Sequence, residues 1–399
     1  MEHLEPAIVL IPLLAVLAPI LARAVGPVLR VPIVVFELAL GILVGPAALG
    51  WAQPSDLIDL LSEFGLAMLF FVAGTEIELG ALRGRTGRGA ILGWLISVVT
   101  GTALGWAALP GLGAVVIGVA LASTALGTLL PILRDSGDLR TTFGRSVGAL
   151  GAVGEFGPLV AISVLLGTRE PGAEGLVLAG FLVVVAGAVW YALRAPQGAL
   201  HRFVSSTLHT SGQFAVRVLL LILAALVGLS IVLDLDMLLG AFTAGLLWRL
   251  LMREADAGDR AAVESKIEGL AFGFLVPLFF IYTGVTFDLE ALLQRPVLFA
   301  ALPVALLVLV VVRGLPSLLA APAGATRRDR IAVVLMGSTG LPVIVAVTAI
   351  GVDERLIPSA AASVLVGAGM LSVLLFPLIA LSVRRESVER PAGAEPDEG

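Results

Sequence analysis

LFFVAGTEIELGAL, residues 69–82, and LFFIYTGVTFDLEAL, residues 278–292, are two versions of one motif. They match closely with one inserted residue and lie about 210 residues apart, so the chain contains an internal repeat. Two further pairs keep the same order: GILVG from Gly41 resembles GLLWR from Gly245, and Ser123-Thr124 is answered by Ser338-Thr339. Each motif lies in an apolar stretch of ~20 residues, the length that crosses a bilayer as a helix.

Such stretches lie near 6–22, 32–50, 57–79, 89–108, 112–133, 145–167, 175–193, 215–233, 237–252, 266–286, 297–321, 331–351 and 358–382, thirteen in all. The first is read as a membrane helix and not a cleaved leader, because Met1–Pro6 is acidic and no small-residue cleavage site follows. The repeated motifs then fall in spans two, three and five and in spans nine, ten and twelve. Partners seven spans apart face the membrane in opposite senses, which is the plan of secondary transporters. The expected fold is an all-α polytopic membrane protein of 13 transmembrane helices, two inverted six-helix repeats joined by a linking helix. Its expected organisation is a membrane domain over 1–383, with repeat one about 6–167, the linking helix about 175–193 and repeat two about 215–382. A disordered cytoplasmic tail is expected over 384–399.

Composition points the same way. Of the 399 residues 58% are hydrophobic and 14% charged, and the 46 glycines bring the apolar share to about 70%, far above that of soluble domains. Cysteine is absent, which excludes disulfides, thiol catalysis and iron–sulfur clusters, and three histidines (His3, His201, His209) argue against a histidine-rich metal centre. A formal net charge of −5, with the charges gathered in loops, offers no basic face to nucleic acid. Of the 25 basic residues, 21 fall on one set of alternate loops, three (Arg169, Arg295, Arg355) on the other, and Arg313 lies inside a span. The positive-inside rule therefore puts the N-terminus outside and the C-terminus in the cytoplasm of a plasma-membrane protein.

An ionisable group near mid-bilayer costs several kcal/mol unless paired or hydrated, so it marks a function by default. Glu155 lies in the sixth span, ten residues after Arg145 and fourteen before Arg169, with Gly157 and Pro158 just beyond it. Burial disfavours a carboxylate's charge, so such a group can trade a proton for a cation; the plainer alternative is a permanently protonated structural glutamate. Arg313, in VLVVVRGLPS, keeps its charge and needs a carboxylate or helix-end carbonyls around it, so it is expected to face Glu155 or the interrupted helices. Ser123, Thr124, Ser338 and Thr339 sit near the centres of spans five and twelve beside Gly127, Pro131, Gly337, Gly340 and Pro342. Either these helices unwind and their hydroxyls and carbonyls line an ion path, or the hydroxyls bond the carbonyl one turn back. Glu37, Glu63 and Glu76 lie nearer the interfaces, where long side chains snorkel to water. GALGAVG from Gly148 superficially resembles a dinucleotide fingerprint but lies inside a span, where small residues serve helix packing.

Taken together, FELALGILVGP from Phe36, LFFVAGTEIEL from Leu69, LASTALGTLLPILRDSG from Leu121, GAFTAGLL from Gly240 and PLFFIYTGVTFDL from Pro277 resemble the sodium/proton exchanger superfamily, in its monovalent cation:proton antiporter-2 branch. The resemblance covers about residues 6–382. It implies a homodimer with a dimerisation domain and a mobile core domain, the core holding two crossed, interrupted helices and moving as an elevator. By the same resemblance Thr124 lies at the break of the first crossing helix and Ser338, Thr339 and Gly340 near the break of the second. Glu155 falls where the family carries its ion-binding aspartate, and Arg313 where it carries a lysine or arginine. Two departures stand out: Gly154 replaces the usual Asp, Asn or Gln, and the carboxylate is Glu where the family has Asp. Some relatives append a cytosolic nucleotide-binding domain, which the short stretch after the last span leads us not to expect here.

The resulting expectation is exchange of Na+ or K+ for protons at Glu155, Thr124 and Ser123, electroneutral, serving pH homeostasis, with membrane lipid around it. No cofactor and no nucleic-acid partner are expected. An enzyme is not expected either, since no nucleophile–base pair or metal cluster is visible. The alternatives are a sodium-coupled organic-anion symporter of related fold, or a transport-dead membrane sensor or channel.

Overall fold

The structure is a computed structural model that describes residues 6–26, 31–77, 82, 84–165, 171–194, 214–252, 257–294 and 296–388. All regular elements among the described residues are helical. In chain order they are α1 (Pro6–Val25), α2 (Ile33–Val44), α3 (Asp56–Glu76), α4 (Gly84–Ala108), α5 (Leu112–Leu121), α6 (Leu126–Asp135), α7 (Thr142–Leu165) and α8 (Pro171–Arg194). Then follow α9 (Phe214–Val232), α10 (Met237–Leu251), α11 (Ala257–Leu270), α12 (Val276–Val285), α13 (Leu289–Gln294) and α14 (Pro296–Leu309). The last four are α15 (Leu315–Ser317), α16 (Arg327–Gly337), α17 (Leu341–Asp353) and α18 (Ser359–Val388). Single π-turns, Ala271–Leu275 and Val310–Gly314, join α11 to α12 and α14 to α15.

Among the described residues nine helical segments are long and apolar enough to cross a membrane, and four shorter apolar helices accompany them (Val9–Val25, Ile33–Val44, Gly175–Gly187, Met237–Leu251). Large apolar side chains such as Leu13, Val99, Leu221 and Val311 are exposed along them, as lipid-facing helices require. Some boundaries differ from the sequence expectation. The second span ends at Val44 because Gly45 and Pro46 turn the chain. The last helix continues through Arg384 to Val388, where a tail was expected; residues 389–399 lie outside the described residues.

The chain divides into two compact units, each drawing on both halves of the sequence: Met1–Ile77 with Phe156–Arg295, and Glu78–Glu155 with Pro296–Gly399. In the first unit α2 packs on α12 and α3 on α10. Both crossings are backbone to backbone. A Cβ added at Gly41 would meet the Ile281 carbonyl and one at Gly284 the Leu38 carbonyl; at Gly74 it would meet Phe242 O, and at Gly245, Phe71 O. Small residues at a crossing let membrane helices approach closely enough for dispersion to hold them. Arg249, in the last turn of α10, donates through Nη1 to Thr75 O at 2.6 Å and so closes the C-terminal end of α3. Asp236 caps α10 from the other end, its Oδ1 accepting from Leu238 N at 2.8 Å.

In the second unit α4 packs along α5, and α18 packs against α14, α16 and α17. Two helices here are interrupted. Residues 122–125 separate α5 from α6, and residues 338–340 separate α16 from α17. The second break has a covalent cause: Pro342, in the first turn of α17, has no N–H and its ring excludes the carbonyl four residues back, so α16 cannot run on. The first break has a tertiary cause. Thr124 N donates to Gly154 O (3.1 Å) and Ala125 N to Thr339 O (2.7 Å), so these amides find partners outside their own helix.

Candidate ion-binding site

Both breaks meet in the second unit. The Ala125–Thr339 hydrogen bond joins them directly, and a Cβ on Gly340 would stand 2.8 Å from Ser123 Oγ. Thr124 crosses the junction with its side chain, donating through Oγ1 to Gly337 O at 2.6 Å. Its oxygen in turn accepts from Arg313 Nε at 2.8 Å. Ser123, Thr124, Ser338, Thr339 and Arg313 are all fully buried.

Glu155 is carried on α7 and is 4% exposed. Its Oε1 accepts from Leu126 N at 2.9 Å and from Gly127 N at 3.4 Å, the first amides of α6. The first amides of a helix lack intrahelical acceptors, and Ala125 at the N-cap has no side-chain oxygen to supply one. A carboxylate 29 residues away performs that task, at a helix N-terminus whose dipole favours negative charge. Glu155 thus meets the interrupted helix directly.

Gly154 explains one departure seen in the sequence. Its carbonyl holds Thr124 N, and a Cβ there would lie 2.5 Å from Thr124 Cβ and 2.8 Å from Thr124 N. The Asp, Asn or Gln expected at this position would displace the break of the first crossing helix.

Arg313 sits on the π-turn Val310–Gly314, a helical defect that often accompanies functional groups. Its Nη2 donates to Leu150 O at 3.0 Å and its Nε to Thr124, so of the two expected partners it addresses the interrupted helix and the α7 backbone. The other hydroxyls are less alike than their sequence symmetry suggested. Ser338 donates to Val334 O (2.7 Å) and Thr339 to Leu335 O (3.2 Å), both one turn back in α16. Ser123 donates to Ala120 O at 2.7 Å and more weakly to Gly340 O at 3.4 Å. Of the four, Thr124 is the hydroxyl that makes a short bond across the junction.

Glu37 is 5% exposed, not snorkelling as expected, whereas Glu63 is exposed and Glu76 half-buried. Sequence reasoning did not find the Leu150 carbonyl or the role of Gly154, since backbone groups leave no signature of their own. Nor does it single out Arg384, which the sequence places among the loop arginines.

Known proteins resemble the chain in sequence and in fold. The family described as "Sodium/hydrogen exchanger, transmembrane" matches residues 13–381. The chain is 29% identical over 271 residues to the Na(+)/H(+)-K(+) antiporter GerN of Bacillus cereus, covering 64% of this chain and 66% of that one. It is 26% identical over 271 residues to a Na(+)/H(+) antiporter of Enterococcus hirae, covering 65% and 67%. The chain covers 53% of the length of a Bacillus subtilis relative. In fold it is similar to the sodium proton antiporter MjNhaP1 from Methanocaldococcus jannaschii, with a TM-score of 0.66, 19% identity, and 94% and 98% of the two chains covered. With a family match over nearly its whole length, this chain belongs to the transmembrane sodium/hydrogen exchangers.

Proposed function

We propose that the protein is a secondary transporter exchanging a monovalent cation, Na+ or K+, for protons, and that Glu155 carries either ion. The observation that supports this most is the buried Glu155 carboxylate held on the free amides of α6 where two interrupted helices cross. Such a site is preorganised for negative charge, so a proton or a cation is the natural occupant, and competition for one carboxylate couples their movement. Thr124 and Ser123 complete the site, while Ser338, Thr339 and Gly340 shape the second break. Arg313 supplies a fixed positive charge that holds Thr124 in place. With one titrating carboxylate and one fixed guanidinium, the exchange is one proton per monovalent cation, hence electroneutral.

The mechanism is elevator-type alternating access, in which the domain carrying Glu155 crosses the barrier only when the carboxylate is occupied. The protein works as a homodimer in the plasma membrane, crossing it thirteen times with its N-terminus outside and its C-terminus in the cytoplasm, in lipid and without a cofactor. The crossings over 1–383 form two inverted repeats, about 6–167 and about 215–382, joined by a linking helix at about 175–193. The glycine crossings support this: Gly41 with Gly284 and Gly74 with Gly245 exchange roles under the repeat, and in each case the glycine faces the carbonyl three residues before its opposite glycine (Ile281, Leu38, Phe242 and Phe71). The matched relatives are named as antiporters, so transport is favoured over enzymatic, organic-anion or sensor readings. The test is a dye-based proton-flux assay in proteoliposomes with Na+, K+ and Li+ added in turn. Cation-dependent proton release that is insensitive to voltage is expected; silence with every cation would overturn the reading.

A further inference from the structure

At the ends of α6 and α16 away from the crossing, one guanidinium gathers three helices of the second unit. Arg384, in the last turns of α18, donates through Nη1 to Asp138 Oδ2 and through Nε to Asp329 Oδ1 at 3.0 Å. Its guanidinium carbon lies 3.8 Å from the centroid of the Phe143 ring. Charge-assisted bonds to two carboxylates with an aromatic platform beneath are a geometry that arginine, but not lysine, can satisfy.

Each partner is itself fixed to a helix end. Asp138 follows Gly137, whose φ of +77° turns the chain out of α6, and its amide bonds back to Leu133 O at 2.9 Å. Asp329 is the third residue of α16 and closes a capping box with Thr326. Phe143 is the second residue of α7. These three helices also build the ion site: α6 presents Leu126 and Gly127 to Glu155, α16 ends at the Gly337 carbonyl that receives Thr124, and α7 carries Glu155. A helix of about ten residues is a rod of about 15 Å, so movement at one end reaches the other undiminished.

We propose that Arg384 is a positioning residue, a clamp that keeps α6, α16 and α7 in register so that the first amides of α6 meet Glu155. It touches neither ion. The proposal rests on the reading of Glu155 as the ion site, and one of its two tests is independent of transport. The chain has no cysteine, so Arg134→Cys and Arg330→Cys, both at exposed positions, place two spin labels beside the outer ends of α6 and α16. In the full-length protein, a narrow label–label distance distribution that broadens on Arg384→Gln is expected; equal widths would overturn the clamp, whether or not the protein transports.

The second test is proton flux in proteoliposomes from protein that remains monodisperse. Arg384→Gln is expected to raise the apparent cation KM about tenfold, the scale on which sub-ångström misplacement acts, with a smaller change in maximal rate. Asp138→Asn with Asp329→Asn should raise it comparably, and adding Arg384→Gln to that pair should add nothing. Arg384→Lys should restore part of the affinity. An unchanged KM in Arg384→Gln, or effects that simply add, would overturn the proposal. A wild-type protein without cation-dependent flux would count against the Glu155 reading alone and leave the label distances to decide the clamp.

Discussion

The two compact units solve the same problem, packing helices across one another in lipid, by different means. In the unit built from Met1–Ile77 and Phe156–Arg295, continuous helices cross at glycines and touch through their backbones, as Gly41 does with Gly284 and Gly74 with Gly245. In the unit built from Glu78–Glu155 and Pro296–Gly399 the crossing helices are broken, and their freed amides and carbonyls are met by Thr124, Gly154 and Glu155, with Arg313 holding the Thr124 hydroxyl. A glycine crossing leaves no polar group to satisfy and therefore offers nothing to an ion. A broken crossing must be supplied with partners, and a partner that is also titratable can release its helix end in exchange for an ion. On the proposed Glu155 reading, function belongs to the unit whose packing is the more demanding of the two.

That contrast is broken most severely at Glu155. Glu155→Ala should bring cation-dependent proton flux to the level of empty liposomes while the protein still elutes as a single species. Glu155→Gln should do the same although its amide oxygen can still accept from Leu126, which separates the charge from the capping role. Glu155→Asp should keep partial activity. Normal exchange in Glu155→Ala would place the site elsewhere and remove the distinction between the units.

Gly41→Val and Gly245→Val test the other side. Each forces a branched side chain into a backbone contact, at a cost of about 3 kcal/mol, read as a lower Tm in detergent. On the proposed repeat the two crossings are equivalent, so the two losses should be alike. A large loss at one and none at the other would argue against that equivalence. Gly154→Ala should cost about 1–3 kcal/mol and also slow exchange, since the added methyl group pushes on Thr124.

Much of this was legible in the sequence because membrane insertion leaves few choices. The apolar runs located the helices, and the pairing of Leu69–Leu82 with Leu278–Leu292 singled out α3 and α12, which the structure places at the two glycine crossings. Ser123-Thr124 and Ser338-Thr339 marked the breaks because weak helix formers surround them. What stayed hidden depends on backbone atoms or on distance along the chain. Gly154 resembled a departure from its family until the approach of Thr124 was visible, and no local pattern tells that Leu126 is capped from residue 155. Arg384 was indistinguishable from the other arginines of the positive-inside pattern, because its partners are 55 and 246 residues away.

The smallest effect sharpens the comparison furthest, because it sets one helix cap against another. Glu155 caps α6 from a different helix, whereas Asp236 caps α10 from the residue just before it. A local cap has no second occupation and should behave as stability alone. Asp236→Ala should cost about 1 kcal/mol, with the apparent cation affinity unchanged. Burial pushes the Asp236 carboxyl up to about 6, against the weaker opposing pull of its bond from Leu238. The folded protein therefore binds this proton more tightly than the unfolded chain, and the group's contribution to stability falls as pH rises from about 4 through about 6. Asp236→Asn keeps the acceptor without the charge, so its Tm should exceed that of the parent at pH 8 and approach it at pH 4. Should Asp236→Asn instead impair exchange as Glu155→Gln does, the cap of α10 would share in ion binding, and the division of labour between the units would have to be redrawn.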